Sequence, residues 1–365
     1  MNKTQISAEI VAHSLSPQGD ELISVLCTFP RIILAEVNTH RMLSKNTSSS
    51  RAIPFKKMVE SVQNDPFVPI AWQRTHSGMQ GSEYFKNPVN LIEDWIKARD
   101  SAVFISKDLH DGSGVTKQLC NRLLEPFMWT TMLITGSKEG WDNFFNLRCP
   151  QYKIHQGTYK SKKEALQHGL SNGELKNWSD LDWLQNNEGQ AEIHIMDLAE
   201  KIYDAVNEST PKQLKANQWH IPMIDKIPFV GNLTKNIDES NIFWKDYDEQ
   251  NKVKISVALA ARTSYTIVGD EKEIDYQKMV DLHDRLLSQD PPHSSPLEHC
   301  ARAMSDEEYY SFIKGKVKTG YIDESEHQIF LSNKSHNWGD YSELGWCNNL
   351  KGFIPYRYFI DNNLI

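Results

Sequence analysis

Between residues 39 and 51 the chain reads T-H-R-M-L-S-K-N-T-S-S-S-R, which sets His40, Arg41 and Arg51 among several hydroxyl side chains. Arginine presents a planar fork of donors and serine adds a hydroxyl, so this stretch suits an anion such as a phosphate. The same residues also suit a solvated, Ser-rich loop whose His and Arg favour a helix C-terminus. Residue chemistry leaves both readings open. Four further clusters have the same ambiguity. Asn143-F-F-N-L-Arg148 ends an apolar helix pattern, with Arg122 one element earlier. Gln190-A-Glu192-I-His194 puts a carboxylate at a helix start, where the dipole favours it. Ala260-A-R-T-Ser264-Tyr265 and His293-S-Ser295-P-L-Glu298-His299 close the set.

The elements that must carry these residues follow from local pattern. Residues 21–29, E-L-I-S-V-L-C-T-F, predict a strand, and Pro30 then opens a helix over 31–43. A polar loop follows to Pro54. Helices are expected over 91–109, with Gly112 and Gly114 as stops, and over 115–135, with Pro126 kinking or breaking it. Ser137 is placed to cap a third helix, 138–148. Residues 151–189 look like a charged insertion with a short helix at 161–169. Ile193, Met196, Ala199, Ile202 and Val206 repeat at helical spacing over 190–206. Prolines and polar residues mark 207–250 as a linker. Helices resume at 253–264 and from Asp275, and Ser305 with Glu308 forms a capping-box pattern. Residues 328–332 are a short strand candidate, and 346–357 reads as a closing helix, with a substrate-specific element as the alternative.

The chain has 365 residues, enough for a large core or about two domains. The expected division is a first core part at 1–206, a linker at 207–252, a second core part at 253–304 and an extension at 305–365. A net charge of −8 argues against a general nucleic-acid partner. No apolar run reaches the length of a membrane span, and the first residues lack a continuous apolar stretch, so a cytoplasmic protein is expected. The five cysteines form no C-x-x-C pair and read as reduced thiols. No metal-ligand spacing is present, so no metal is expected.

Taken together, the five clusters resemble the ThyX-type flavin-dependent thymidylate synthases. The family signature R-H-R-x-x-S-x-N-E-x-S-x-R is matched at His40, Arg41, Ser44, Asn46, Ser49 and Arg51. Its N-F-L-x-L-R segment is similar to 143–148, with Arg122 and Pro126 before it. Its A-Q-x-E-I segment resembles Gly189–Ile193. The A-A-R-x-S-Y and H-x-[ST]-P-x-E-H segments resemble 260–265 and 293–299. In the family these last two precede the signature; here they follow it, as a circular permutation would arrange them.

The resemblance implies an α/β (α+β) ThyX-like fold, helix-rich around a central mixed sheet, with permuted motif order. It implies FAD as cofactor, NADPH and methylenetetrahydrofolate as co-substrates, and methylation of dUMP at C5. It also implies a homo-oligomer, tetramer or dimer, with sites shared between subunits. By this likeness His40, Arg41, Asn143, Leu147, Ser264, Ser295 and Glu298 hold the flavin. Glu36, Ser49, Arg51, Arg122 and Arg148 hold the nucleotide, and Arg148 is the catalytic candidate, stabilising negative charge at the pyrimidine.

Departures fall largely on the nucleotide side. Thr39 stands for the first signature Arg, Thr47 for the Glu, and Glu36 for a Gln. Glu188 stands where the family has a His, for which His155 is a candidate substitute. Glu accepts hydrogen bonds but does not donate them, which suits an amino group and hence a cytosine nucleotide. Methylation or hydroxymethylation of dCMP, hydroxymethylation of dUMP, an inactive flavin or nucleotide sensor, and a helical interaction protein are the alternatives.

Overall fold

The computed structural model describes residues 3–77, 81, 83–155, 157–168, 175–224, 248–265, 276–289, 292–311 and 344–364. The strand candidate at 328–332, Asp275 and residues 225–247 of the expected linker lie outside them.

The centre is a mixed sheet. β1 (Ser7–Leu15) and β2 (Glu21–Pro30) form a hairpin, and β3 (Ser44–Thr47) and β4 (Trp129–Ser137) complete an antiparallel run. β5 (Tyr152–Ile154) and β6 (Gly157–Tyr159) make a separate small hairpin. β7 (Lys212–Gln213) adds to β1 in parallel, giving the order β3-β4-β2-β1-β7. A second sheet has β12 (Phe353–Pro355) and β8 (Trp219–His220) flanking β9 (Ala301–Ala303), all antiparallel. β10 (Trp346–Cys347) and β11 (Leu350–Lys351) form a last hairpin.

The structure revises several expectations. The helix expected over 31–43 is only a 3-10 turn at Arg31–Ile33 followed by α1 (Leu34–Asn38). The polar loop after it contains β3, whose Ser44 and Asn46 are buried because β3 zips onto β4. The helix expected over 115–135 is instead α4 (Lys117–Cys120), a 3-10 segment (Asn121–Phe127) holding Pro126, and the strand β4. Proline ends the helical geometry, and W-T-T-M-L-I-T is rich in the β-branched and aromatic residues that fit a central strand. Part of the expected linker is β7 and β8, because its backbone pairs with β1 and β9. Residues 346–355 are strands, and only α12 (Tyr356–Asp361) closes the chain as a helix.

The remaining helices are α2 (Phe55–Asn64), α3 (Val89–Lys107), α5 (Lys138–Arg148), α6 (Lys162–His168), α7 (Asp180–Gln185), α8 (Ile193–Glu208), α9 (Glu249–Arg262), α10 (Tyr276–Leu287) and α11 (Asp306–Ser311). Glu192 caps α8, accepting from the amides of His194 and Ile195 at 2.8 and 3.2 Å. Ser305 and Glu308 form the capping box of α11. Ser137 stands at the start of α5, but its hydroxyl bonds Asn349 O instead.

Alternation along β2 sorts the core. Ile23, Val25, Cys27 and Phe29 pack with Trp141, Phe144 and Phe145 of α5 and Ile195, Leu198 and Ile202 of α8. Each such side chain contributes about 1.5–3 kcal/mol when fully buried. On the other side, Val11 and Leu133 pack against Ala260 of α9. That contact seats the late 253–304 segment against the early sheet. A buried polar chain adds to it: Ser14 and Ser24 bond the two ring nitrogens of His220, Ser24 bonds Thr135 at 2.6 Å, and Thr135 bonds His299 at 2.8 Å. Burial pushes both His220 and His299 down to about 3. Both rings are therefore neutral links between hydroxyls.

Candidate functional site

Asn46 joins the separated clusters. Its position on β3 faces it toward the end of α9 and the 3-10 turn Ser295–Glu298. Its amide nitrogen donates to Ala260 O, to Thr263 Oγ1 at 2.9 Å and to Ser264 Oγ at 3.4 Å. Its side-chain oxygen accepts from Ser295 Oγ at 3.1 Å. The backbone amide of Ser49 donates to Ser264 O at 2.7 Å. Residues more than 200 positions apart thus share one buried amide, since Asn46 and Thr263 lie 217 apart. Asparagine suits this place because it donates and accepts through one small planar group.

The second junction is His40 with Arg148. Arg148 lies in the last turn of α5, where a cation is favoured, and its Nε donates to His40 Nε2 at 2.9 Å. Its Nη2 reaches Thr39 Oγ1 at 3.4 Å. The His40 ring packs edge-on against Phe144 of the same helix. Burial, then the charges of Arg148 and Lys45, hold His40 down at about 4, so the imidazole is neutral and accepts. Lys45 donates to His40 O, and burial lowers its amine to about 8 while Glu298 opposes that shift.

A clamp fixes the far end of the signature. Arg31 pairs with Glu125 at 3.2 Å and donates to Ser48 O at 2.8 Å. Ser50 Oγ donates to Glu125, and Asn121 Nδ2 bonds Ser50 O and Ile53 O. These bonds bring the Arg51 loop beside the segment carrying Arg122. Arg51, Arg122 and Arg41 are all exposed, and none makes a hydrogen bond or ion pair among the described residues. Asn143 and Leu147 share the exposed face of α5, four residues apart, with Leu147 58% exposed. Glu36 is half-buried, and its Oε2 is enclosed without a hydrogen-bond partner.

Among the described residues these segments thus offer exposed cationic donors at Arg41, Arg51 and Arg122, an exposed apolar side chain at Leu147 and an unpaired carboxylate oxygen at Glu36. A cavity of about 430 Å³ between α6 and α8 shares no residue with them, being lined by Lys162, Lys163, Asp197, Glu200, Lys201 and Asp204 among others. His155 sits exposed at the β5–β6 turn with φ 53°, and no described bond links it to the cluster. Glu188 pairs with Lys153 at 2.5 Å. Cys27, Cys120, Cys149, Cys300 and Cys347 are buried without disulfides, and burial raises Cys300 to about 12, so it carries no thiolate. No group of three metal-ligating side chains forms among the described residues. No described helix is long and apolar enough to cross a membrane.

Sequence reasoning missed three participants. Lys45 occupies a variable place in the signature and carries no pattern of its own. Thr263 is hidden the same way in its motif. Arg357 lies in the tail, where α12 turns it onto Glu298; a strand pattern at F-I-P before Y-R was its available signal.

No protein-family model and no curated protein matches the chain. Among solved structures it is similar to the UMP/dUMP methylase PolB from Streptomyces cacaoi bound with 5-Br dUMP, at 12% identity and a TM-score of 0.39, over 56% of this chain and 92% of that one. The same methylase bound with 5-Br UMP aligns at 14% identity and a TM-score of 0.39, over 56% and 90%. Thymidylate Synthase X (ThyX) from Helicobacter pylori with FAD and dUMP aligns at 15% identity and a TM-score of 0.28, over 51% of this chain and 67% of that one.

Proposed function

We propose that the chain is a flavin-dependent enzyme that transfers a one-carbon unit to C5 of a pyrimidine deoxynucleotide, first of all dUMP to dTMP. Methylenetetrahydrofolate is the carbon donor and NADPH the reductant in this reading. The observation that supports it is the convergence on Asn46 of the signature with the 260–265 and 293–299 segments.

The donor set fits a dinucleotide with phosphates. FAD would meet His40, Arg41, Asn143, Leu147, Ser264, Ser295 and Glu298, and when bound it supplies the redox equivalents. Arg41 offers an unpaired guanidinium for an anionic group, and Leu147 an apolar surface for a ring. Ser49, Arg51 and Arg122 would hold the nucleotide with charge-assisted bonds. Arg148 spends its Nε on His40 and reaches Thr39 with Nη2, which leaves Nη1 for a pyrimidine carbonyl oxygen. Always protonated, it would stabilise negative charge as C5 becomes nucleophilic. Neutral His40 orients that fork. The site is shared between subunits of a homo-oligomer in this reading, consistent with the exposure of Asn143 and Leu147.

Glu36 favours a second reading. An enclosed acceptor with no donor calls for an N–H; cytosine supplies one from its C4 amino group, where uracil presents an acceptor oxygen and can meet it only through N3–H. Methylation or hydroxymethylation of dCMP is therefore the alternative.

The test has two stages. Visible absorption of the purified protein, with release of the chromophore on denaturation, is expected to show FAD. Product analysis with dUMP and with dCMP then identifies the base and the one-carbon product. Arg148→Ala is expected to abolish product while retaining flavin. A protein that neither holds nor takes up FAD overturns the proposal.

A further inference from the structure

We infer that the C-terminal segment is built into the site and that Arg357 is a positioning residue acting through Glu298, an inference that rests on the flavin reading above. The segment lies outside the stretches that resemble the family. Its attachment is nonetheless extensive. β12 pairs with β9 in the register Phe353↔Ala303, Ile354↔Arg302 and Pro355↔Ala301. β9 begins two residues after His299, so β12 lies alongside the chain that leaves the Ser295–Glu298 turn. Tyr356 N donates to Cys300 O at 2.8 Å, and the Tyr356 hydroxyl meets His283 at 3.2 Å. Lys351 bonds Glu139 at 2.9 Å and pairs with Asp20, tying the preceding hairpin to α5 and to the β1–β2 turn.

Pro355 stands at the start of α12, where its missing N–H is not needed. The helix therefore begins at Tyr356, and its first turn aims Arg357 at the turn below. Arg357 Nη1 donates to Glu298 Oε1 at 2.5 Å, and its Nε pairs with Asp361 at 3.2 Å, one helical turn on. Asp361 holds the guanidinium plane while the other side of the fork engages Glu298. Across the site, Glu298 also acts on the charge of Lys45. Its carboxylate thus bonds the cation on α12 directly and feels the charge of the cation on β3 at longer range. Arg357 sets which way it points, because Nη1 of a guanidinium already held by Asp361 gives Glu298 one fixed donor direction, whereas Lys45 makes no direct bond to it.

Both partners are partly exposed, with side-chain exposures of 38% for Arg357 and 26% for Glu298. Pairs of that kind add little to folding stability. The role expected of Arg357 is therefore geometric, and it shows in ligand affinity before it shows in unfolding.

The experiment is a double-mutant cycle on the full chain, with FAD titrated into flavin-stripped protein and followed by absorbance. The variants are Arg357→Ala, Glu298→Gln and the two combined, with Arg357→Lys as the conservative control and thermal unfolding of each as the fold control. Arg357→Ala is expected to weaken FAD binding about tenfold, the scale of one lost charge-assisted hydrogen bond. Its unfolding midpoint should barely move, and Arg357→Lys should recover part of the loss. In the Glu298→Gln background, adding Arg357→Ala should change little. Wild type that binds FAD alongside an Arg357→Ala variant of equal affinity overturns this inference alone. So does an equal loss in both backgrounds, which would separate Arg357 from Glu298. A wild type that takes up no FAD overturns the flavin reading itself, and this inference with it.

Discussion

Arg148 donates its Nε proton to Nε2 of His40 across 2.9 Å, so a guanidinium in the last turn of α5 meets an imidazole that burial and neighbouring charges hold neutral. The bond exists only while the imidazole is neutral. A proton on Nε2 would face a guanidinium that cannot give up its own. Helix α5 supplies both the arginine and the Phe144 ring that packs on His40, so one element sets the whole junction.

A stability signature follows. Folded His40 titrates near 4, below the ordinary histidine value, so between about 6.5 and 4 the unfolded chain binds a proton that the folded chain refuses. Its contribution is fully present above about 6.5 and is lost as the pH falls through that window. His220 and His299, held near 3, act in the same direction. Asp20, Asp197, Glu200 and Asp204, raised mainly by burial, act oppositely. Comparing wild type with His40→Asn isolates the one ring. The difference in urea unfolding free energy between them should shrink from pH 7 to pH 4.5, and a difference independent of pH would refute the assignment.

Asn46 is the structural hinge of the cluster. Asn46→Ala removes bonds to Ala260, Thr263 and Ser295 and leaves buried polar groups unpaired. The expected cost is about 2–4 kcal/mol, from several net bonds plus the desolvated partners. Urea unfolding measures it, and a loss below about 1 kcal/mol would show that the late segments dock without this amide.

Arg51 and Arg122 carry no partner among the described residues, which leaves both for an anion. Under the proposed function, Arg51→Ala and Arg122→Ala should each raise the nucleotide KM about tenfold or more, with kcat less affected. The effect should diminish at high salt. Initial rates at two ionic strengths decide it; a KM unchanged in either variant removes that arginine from nucleotide binding.

Gly140 lets α5 approach the signature backbone. A Cβ there would stand 3.1 Å from Met42 O and 3.3 Å from Leu43 Cδ2. Alanine normally gains about 1 kcal/mol over glycine inside a helix. Gly140→Ala should fall short of that gain and, under the proposed function, weaken FAD binding, because the loop at Met42 must shift. Thermal unfolding and FAD titration test it together; a full gain with unchanged affinity would show that the loop gives way freely.

The local pattern was sufficient for β2, α3, α5, α8 and α9, whose periodicity or β-branched runs leave one way to bury the apolar face. The signature residues were also legible, because the resemblance lies in side-chain types at fixed spacing. β3 was not, since Ser44–Thr47 is polar and becomes a strand only by pairing with β4. For β4, M-W-T-T-M-L-I-T fits a buried helix or a buried strand, and only its neighbours β2 and β3 decide. β1 has no long apolar run to mark it in the sequence and becomes a strand by pairing with β2.

The sequence by itself determined which groups are available: the arginines, the signature histidine, Asn46 with its two-sided amide, and Glu36 in place of a Gln. The tertiary structure alone decided who meets whom. Thr263 and Ser295 reach Asn46, and Arg357 reaches Glu298, only because strand pairing and helix packing fold distant segments together. Local propensity acts over a turn or a strand, whereas those contacts depend on the burial of β2, β4, α8 and α9 as one core.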